Sequence, residues 1–89
     1  MARVSFTANL RRHVECPAEE AAGETVREVL NSYFDAHPAV RSYVLDEQGR
    51  VRRHVAMFVG GSQLVDVVGQ SDPVDADTEV VVMQALSGG

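Results

Sequence analysis

Apolar and polar positions alternate over residues 3–8, with Val4, Phe6 and Ala8 on one side and Arg3, Ser5 and Thr7 on the other. A period of two predicts a strand with one buried face. Asn9-Leu10 reads as a turn, and residues 11–16 as a second, more polar strand that completes an N-terminal hairpin. Residues 17–23, rich in Ala and Glu, read as a loop. The period then changes. Val26, Val29, Leu30, Tyr33 and Phe34 fall at helical spacing behind Thr25-Val26-Arg27-Glu28. In that capping box the Thr25 hydroxyl accepts from the Glu28 amide and the Glu28 side chain returns the bond. A helix is predicted over 25–36, stopping before His37-Pro38 because proline disfavours helix at the residue it follows.

Beyond the helix, residues 43–46 read as a short strand and Glu47-Gln48-Gly49 as a turn. Residues 50–54 lead into an apolar strand over 55–59, and Gly60-Gly61 reverses the chain. Residues 63–66 read as a short turn or strand. Asp72-Pro73 and Asp75-Ala76-Asp77 are turn signals ahead of a last strand over 79–84. Residues 85–89 show no periodicity. The first and last strands are apolar enough to be central, and pairing them in parallel lets the helix pack across one face. The predicted fold is α+β, a β-grasp: a mixed sheet with one main helix on one face, residues 1–84 forming the domain and 85–89 an extended tail.

Composition narrows the function. The 89 residues suffice for one domain, and no apolar run reaches the roughly 20 residues of a membrane span. No basic leader precedes an apolar stretch, so no secretion signal is expected. The single cysteine, Cys16, excludes an internal disulfide and fits a reducing cytoplasm. Thirteen acidic residues against eight basic ones give a net charge of −5, which argues against nucleic acid as a partner. All the basic residues are arginine, so the chain has no lysine on which to build lysine-linked chains of itself.

The predicted strand order, the length and the Ala85-Leu86-Ser87-Gly88-Gly89 segment after an apolar strand resemble the ubiquitin-like sulfur carriers. That family includes the molybdopterin-synthase small subunit (MoaD), the thiamine carrier ThiS and a bacterial carrier for cysteine synthesis. The Asp75-Ala76-Asp77-Thr78-Glu79-Val80 turn into the last strand adds to the likeness. The resemblance implies that a ubiquitin-activating-type enzyme adenylates the Gly89 carboxylate with ATP, and that sulfur then converts it to a thiocarboxylate. The expected protein is a carrier and not an enzyme, with ATP bound by the partner and no cofactor of its own. The long hairpin over 43–59 points to a MoaD-like role in molybdenum cofactor biosynthesis. In that case the sulfur acceptor is the larger molybdopterin-synthase subunit; for cysteine synthesis it is a cysteine-synthase-like enzyme. A ubiquitin-like protein modifier and a β-grasp interaction module are the alternatives.

This chemistry suits the residues. A carboxylate is a poor electrophile until adenylation supplies a leaving group. Gly88 and Gly89 carry no Cβ to block a narrow channel, and five residues span roughly 16–18 Å at 3.3–3.6 Å each. For the docking surface, alternation places Val80 and Val82 toward the helix and Val81 and Met83 away from it. It likewise makes Val55, Met57 and Val59 core and puts Arg52, His54, Ala56 and Phe58 on the open face. Leu86 and Ser87 extend the expected partner-binding set of Phe58, Val81, Met83, Arg52 and His54. Arg11-Arg12-His13 and Arg50, Arg52, Arg53 and His54 form two basic clusters, read as solvated strand edges or as a rim for acidic groups on a partner. Cys16 reads as a packing residue. His13, His37 and His54 lack metal-ligand spacing with it, so no metal is expected. Gly60-Gly61 lacks the Lys-Ser/Thr of a phosphate loop.

Overall fold

The computed structural model describes residues 1–84. Five strands form one mixed sheet in the order β2-β1-β5-β3-β4. β1 (Ala2–Phe6) and β5 (Glu79–Gln84) pair in parallel, Val4 opposite Val80 and Phe6 opposite Val82. β3 (Val55–Val59) lies antiparallel on the other side of β5, with Met57 opposite Val82. The central parallel pair and both inner strands are therefore as their apolar alternation predicts.

α2 (Val26–Ala36) crosses one face of the sheet and buries Val26, Val29, Leu30, Tyr33 and Phe34. These pack with Ala2, Val4, Phe6, Met57, Val80 and Val82 into one core. At the start of α2 the Thr25 hydroxyl accepts from the Glu28 amide (3.3 Å), as expected. The return bond differs: the Glu28 carboxylate accepts from Glu24 (2.9 Å), one residue earlier than in a capping box. The next free amides of the helix are met from outside, Val26 donating to the Asp72 carbonyl and Arg27 to that of Gln70. The loop 64–74 thus finishes the cap and fastens α2 to the rest of the chain. Gly23 has φ of +155°, and a Cβ there would stand 2.6 Å from the Val29 nitrogen, so only glycine fits.

Three parts of the sequence reading need correction. Residues 11–16 form no strand. The alternation over 3–8 stops at Phe6; Thr7 takes the N-cap position of a short helix, α1 (Ala8–Arg11), and the partner of β1 is β2 (Glu19–Ala21). The helix stop at Pro38 is also a helix start. His37 separates α2 from α3 (Pro38–Val44), where proline occupies the first turn and gives up no hydrogen bond. Tyr43 and Val44 therefore belong to α3, and only Leu45 keeps strand character, in a bridge to Val51. Finally, Gly60 and Gly61 join β3 to the two-residue β4 (Ser62–Gln63). Their φ values of 59° and 88° suit the tight hairpin turn that needs positive φ at both central positions.

Candidate functional site

β5 is the middle strand, and its last residue, Gln84, is also the last described. The segment bearing Leu86, Ser87, Gly88 and Gly89 lies outside the described residues. What the structure shows is the platform it leaves from. β5 is held on both sides, by β1 and by β3, so the position of Gln84 is fixed by two ladders.

The face of the sheet away from α2 carries the expected apolar residues. Phe58 lies opposite Val81 and Ala56 opposite Met83, while Ser5 flanks Val81 from β1. Phe58, Val81 and Ala56 are partly exposed and Met83 is 38% exposed. Cross-strand neighbours on one face sit about 4.5–5.5 Å apart at Cβ, so these side chains form one continuous patch. Glu79 closes its far end, its carboxylate accepting from the Ser5 hydroxyl (3.1 Å).

Arg52 and His54 do not belong to that patch. Strand alternation cannot be carried back past Val55, because residues 52–55 form a turn closed by the Val55 amide donating to the Arg52 carbonyl (2.9 Å). Arg52 instead donates from Nε to the Ser42 carbonyl at the end of α3 (2.7 Å). That bond answers one of the carbonyls a helix leaves free at its C-terminus. His54 is exposed beside Arg53 in the same turn, lining a cleft with Asp46, Arg50, Val67 and Val68. Arg50 pairs with Asp46 (3.3 Å).

A residue the alternation could not place is Arg12. It follows α1, exposed, and lines a cleft with Thr7, Asn9, Met83 and Gln84, next to where β5 ends. Its sequence signal was membership of the Arg11-Arg12-His13 cluster, without any hint of which element would bring it to β5.

Cys16 is buried at 2% exposure, and burial pushes its thiol up, an effect that nearby Arg11 partly offsets. A buried, protonated thiol is a poor nucleophile, which fits packing. His37 sits 2.9 Å from Glu19 and stacks on Tyr33, tying β2 to the end of α2. Among the described residues no three His, Cys, Asp or Glu side chains are grouped to hold a metal ion. Nor does any helix among them have the length and apolarity to cross a membrane.

No family model matches the sequence, and no match among curated proteins was found. Solved structures do match across the whole chain. A chain of the BexX/CysO complex of Amycolatopsis orientalis aligns with TM-score 0.83 and 22% identity, covering 100% of both chains. Small archaeal modifier protein 1 (SAMP1) of Methanosarcina acetivorans gives 0.80 and 22%, covering 99% of this chain and 95% of that one. CysO of Mycobacterium tuberculosis, described as an antigen, gives 0.80 and 19%, covering 97% and 100%. The chain has the ubiquitin-like β-grasp fold of these proteins. The resemblance drawn from the sequence holds at that level.

Proposed function

We infer that this protein is a sulfur carrier that works through the carboxylate of Gly89. The observation that carries the reading is positional. Gly88-Gly89 follows, five residues on, the central strand of a β-grasp sheet whose open face is apolar beside that strand. A partner seated on Phe58, Val81 and Met83 would then be within the tail's reach, roughly 16–18 Å from Gln84. In the reaction the carboxylate oxygen attacks the α-phosphorus of ATP on the partner and pyrophosphate leaves. A sulfide or persulfide sulfur then adds to the acyl carbon, and AMP departs with the electron pair of the broken C–O bond. With a persulfide donor, a thiol reductant cleaves the S–S bond to free the thiocarboxylate. The carrier itself supplies no acid or base; it supplies reach and docking.

Molybdopterin assembly, cysteine synthesis and protein modification share this activation and differ only in what receives the activated glycine. The name of the SAMP1 neighbour supports modification as the second reading. The BexX/CysO complex is a precedent for a β-grasp chain of this size held by a partner protein. Intact-protein mass spectrometry tests the reading. With a ubiquitin-activating-type enzyme, ATP and a sulfur donor, the chain is expected to exchange one oxygen for sulfur at its terminus. Deleting Gly89 withdraws the carboxylate by roughly 3.3–3.6 Å. Misplacement of about 1 Å can cost a hundredfold, so the shortened chain is expected to be nearly inert. Equal conversion of both chains, or sulfur mapped to Cys16, would refute the mechanism. Conjugates of high mass in cells would favour modification over sulfur transfer.

A further inference from the structure

Two basic clusters far apart in sequence meet at one end of the sheet. β1 runs parallel to β5 and β3 antiparallel, so the end of β1, the end of β5 and the start of β3 lie together. Past Phe6, the Thr7 amide donates to the Val82 carbonyl (3.1 Å), and the chain turns into α1 and then Arg11, Arg12 and His13. On the opposite flank Val55 pairs with Gln84, and Arg53 and His54 stand directly before it. Both groups are exposed. Arg11, Arg12 and Arg53 form no ion pair with the described residues. None of them lies in a strand, so blocking edge-to-edge pairing does not account for them.

The opposite end of β5 has the other sign. Exposed Asp75, Asp77 and Glu79 lead into the strand, and Glu24 is held nearby by the Val74 amide (3.0 Å). A chain of net charge −5 thus gathers unpaired arginine where β5 hands over to the C-terminal segment. We propose that Arg11, Arg12, Arg53 and His54 form a basic collar around this point, and that it docks on an acidic rim of the protein that receives the C-terminal segment. The identity of that receiving protein rests on the carrier reading above.

A protein surface suits the collar better than nucleic acid. Apolar Met83 and Val81 adjoin it, and an apolar centre with a charged rim is the make-up of a protein interface. The acidic far end would be repelled by a polyanion but would orient the molecule, collar first, toward a local acidic cleft. Such steering raises association rates by roughly 10- to 1,000-fold and weakens as salt screens it.

An NMR titration of the intact, isotope-labelled chain at low ionic strength tests the collar directly, with a short oligoglutamate peptide and an oligothymidylate of equal charge as probes. The peptide is expected to shift the amides of residues 11–13 and 53–54. The effect should vanish in Arg12→Glu/Arg53→Glu and persist in Arg27→Glu, which reverses a charge beside the acidic end. Shifts scattered over the surface, or tighter binding of oligothymidylate than of peptide, would overturn the proposal. A second measurement uses the ubiquitin-activating-type enzyme encoded in the same genome. Its association with the double variant is expected to be at least about tenfold slower at low salt, the difference closing as salt rises. If the wild-type chain is adenylated and the double variant associates equally fast, the collar fails and the carrier reading stands. If the wild-type chain is not adenylated while the peptide still maps to the collar, the carrier reading fails alone.

Discussion

The two faces of β5 differ more than their residues do. Three valines follow one another, yet Val80 and Val82 are wholly buried under α2 while Val81, between them, is partly exposed beside 38%-exposed Met83. Burying a valine contributes roughly 1.5–3 kcal/mol, so the covered positions carry stability. The open ones hold apolar surface that folding leaves in water. Strand period alone divides the work: one face specifies the domain, and the other is left free for a partner.

The largest test of that division puts the same charge on adjacent valines. Val82→Asp places a carboxylate among Phe6, Met57 and the α2 side chains with nothing to pair it. The effective penalty is several kcal/mol, against a total stability of about 5–15 kcal/mol for a domain. Circular dichroism should show no cooperative thermal transition. Val81→Asp should leave a folded protein. If both variants fold, or neither does, the contrast between the faces is wrong.

The next test keeps the fold and asks about docking. Met83→Glu should change stability within about 0.5 kcal/mol, as most surface substitutions do. It should weaken binding to the adenylating enzyme by about 2 kcal/mol or more if Met83 lies in the interface centre. Phe58→Glu should behave alike, with a somewhat larger stability cost because Phe58 is less exposed. Calorimetric binding and urea unfolding on the same samples separate the two effects. A stability loss that matches the binding loss would mean these residues serve the core.

The elements that make this contrast were legible in the sequence because each buries a regular pattern. β5 was read over its observed span, β3 likewise, and α2 to within one residue at its start. Period two also gave the correct faces of Val81, Met83 and Phe58. The reading failed where tertiary contacts overrule local pattern. β2 is Glu-Glu-Ala, with no strand propensity, and exists because Ala2, Arg3 and Val4 offer it a ladder. α3 was hidden because Pro38 marks both the end of one helix and the start of the next. Arg52 was misplaced by extending alternation into a turn. Gln70 gave no signal at all, yet it is buried at φ +50° with its Nε2 donating to Val67 and Gly49 carbonyls. Its place follows from a loop that must close over α2.

A smaller effect is expected at the helix cap, on the covered side alone. Thr25→Ala removes the hydroxyl that accepts from Glu28. Losing an N-cap oxygen costs about 1 kcal/mol. The neighbouring amides of Val26 and Arg27 keep their partners in the loop, so the loss should stay near that figure. The urea midpoint should fall while binding to a partner, which meets the other face, is unchanged. A binding defect in Thr25→Ala would show that the two faces are coupled.

The subtlest test concerns that same loop and runs on pH. The Asp66 carboxylate accepts from the Ser71 hydroxyl (2.6 Å) and from the amides of Gly69 (2.9 Å), Val68 and Ser71 (3.2 Å each). These bonds, the Ser71 hydroxyl first, favour the ionised form and lower its pKa from the ordinary 3.8 to about 2. The folded value lies below the unfolded one, so its contribution is full above pH 3.8 and is lost as pH falls toward about 2. Because the loop's Gln70 and Asp72 carbonyls hold the first amides of α2, protonation of Asp66 should loosen the covered side first. Asp66→Asn removes the titration. Its stability at neutral pH should be lower than that of the parent chain and should fall less steeply between pH 4 and 2. Asp46 and Asp75, also held below the usual range chiefly by the amides of Arg50 and Asp77, would supply the slope that remains. Amide hydrogen exchange localises the effect: acid should speed exchange at Val26 and Arg27 in the parent before it does so at Val81 and Met83. Equal acid sensitivity in the Asp66→Asn chain would mean that this loop does not couple pH to the cap of α2.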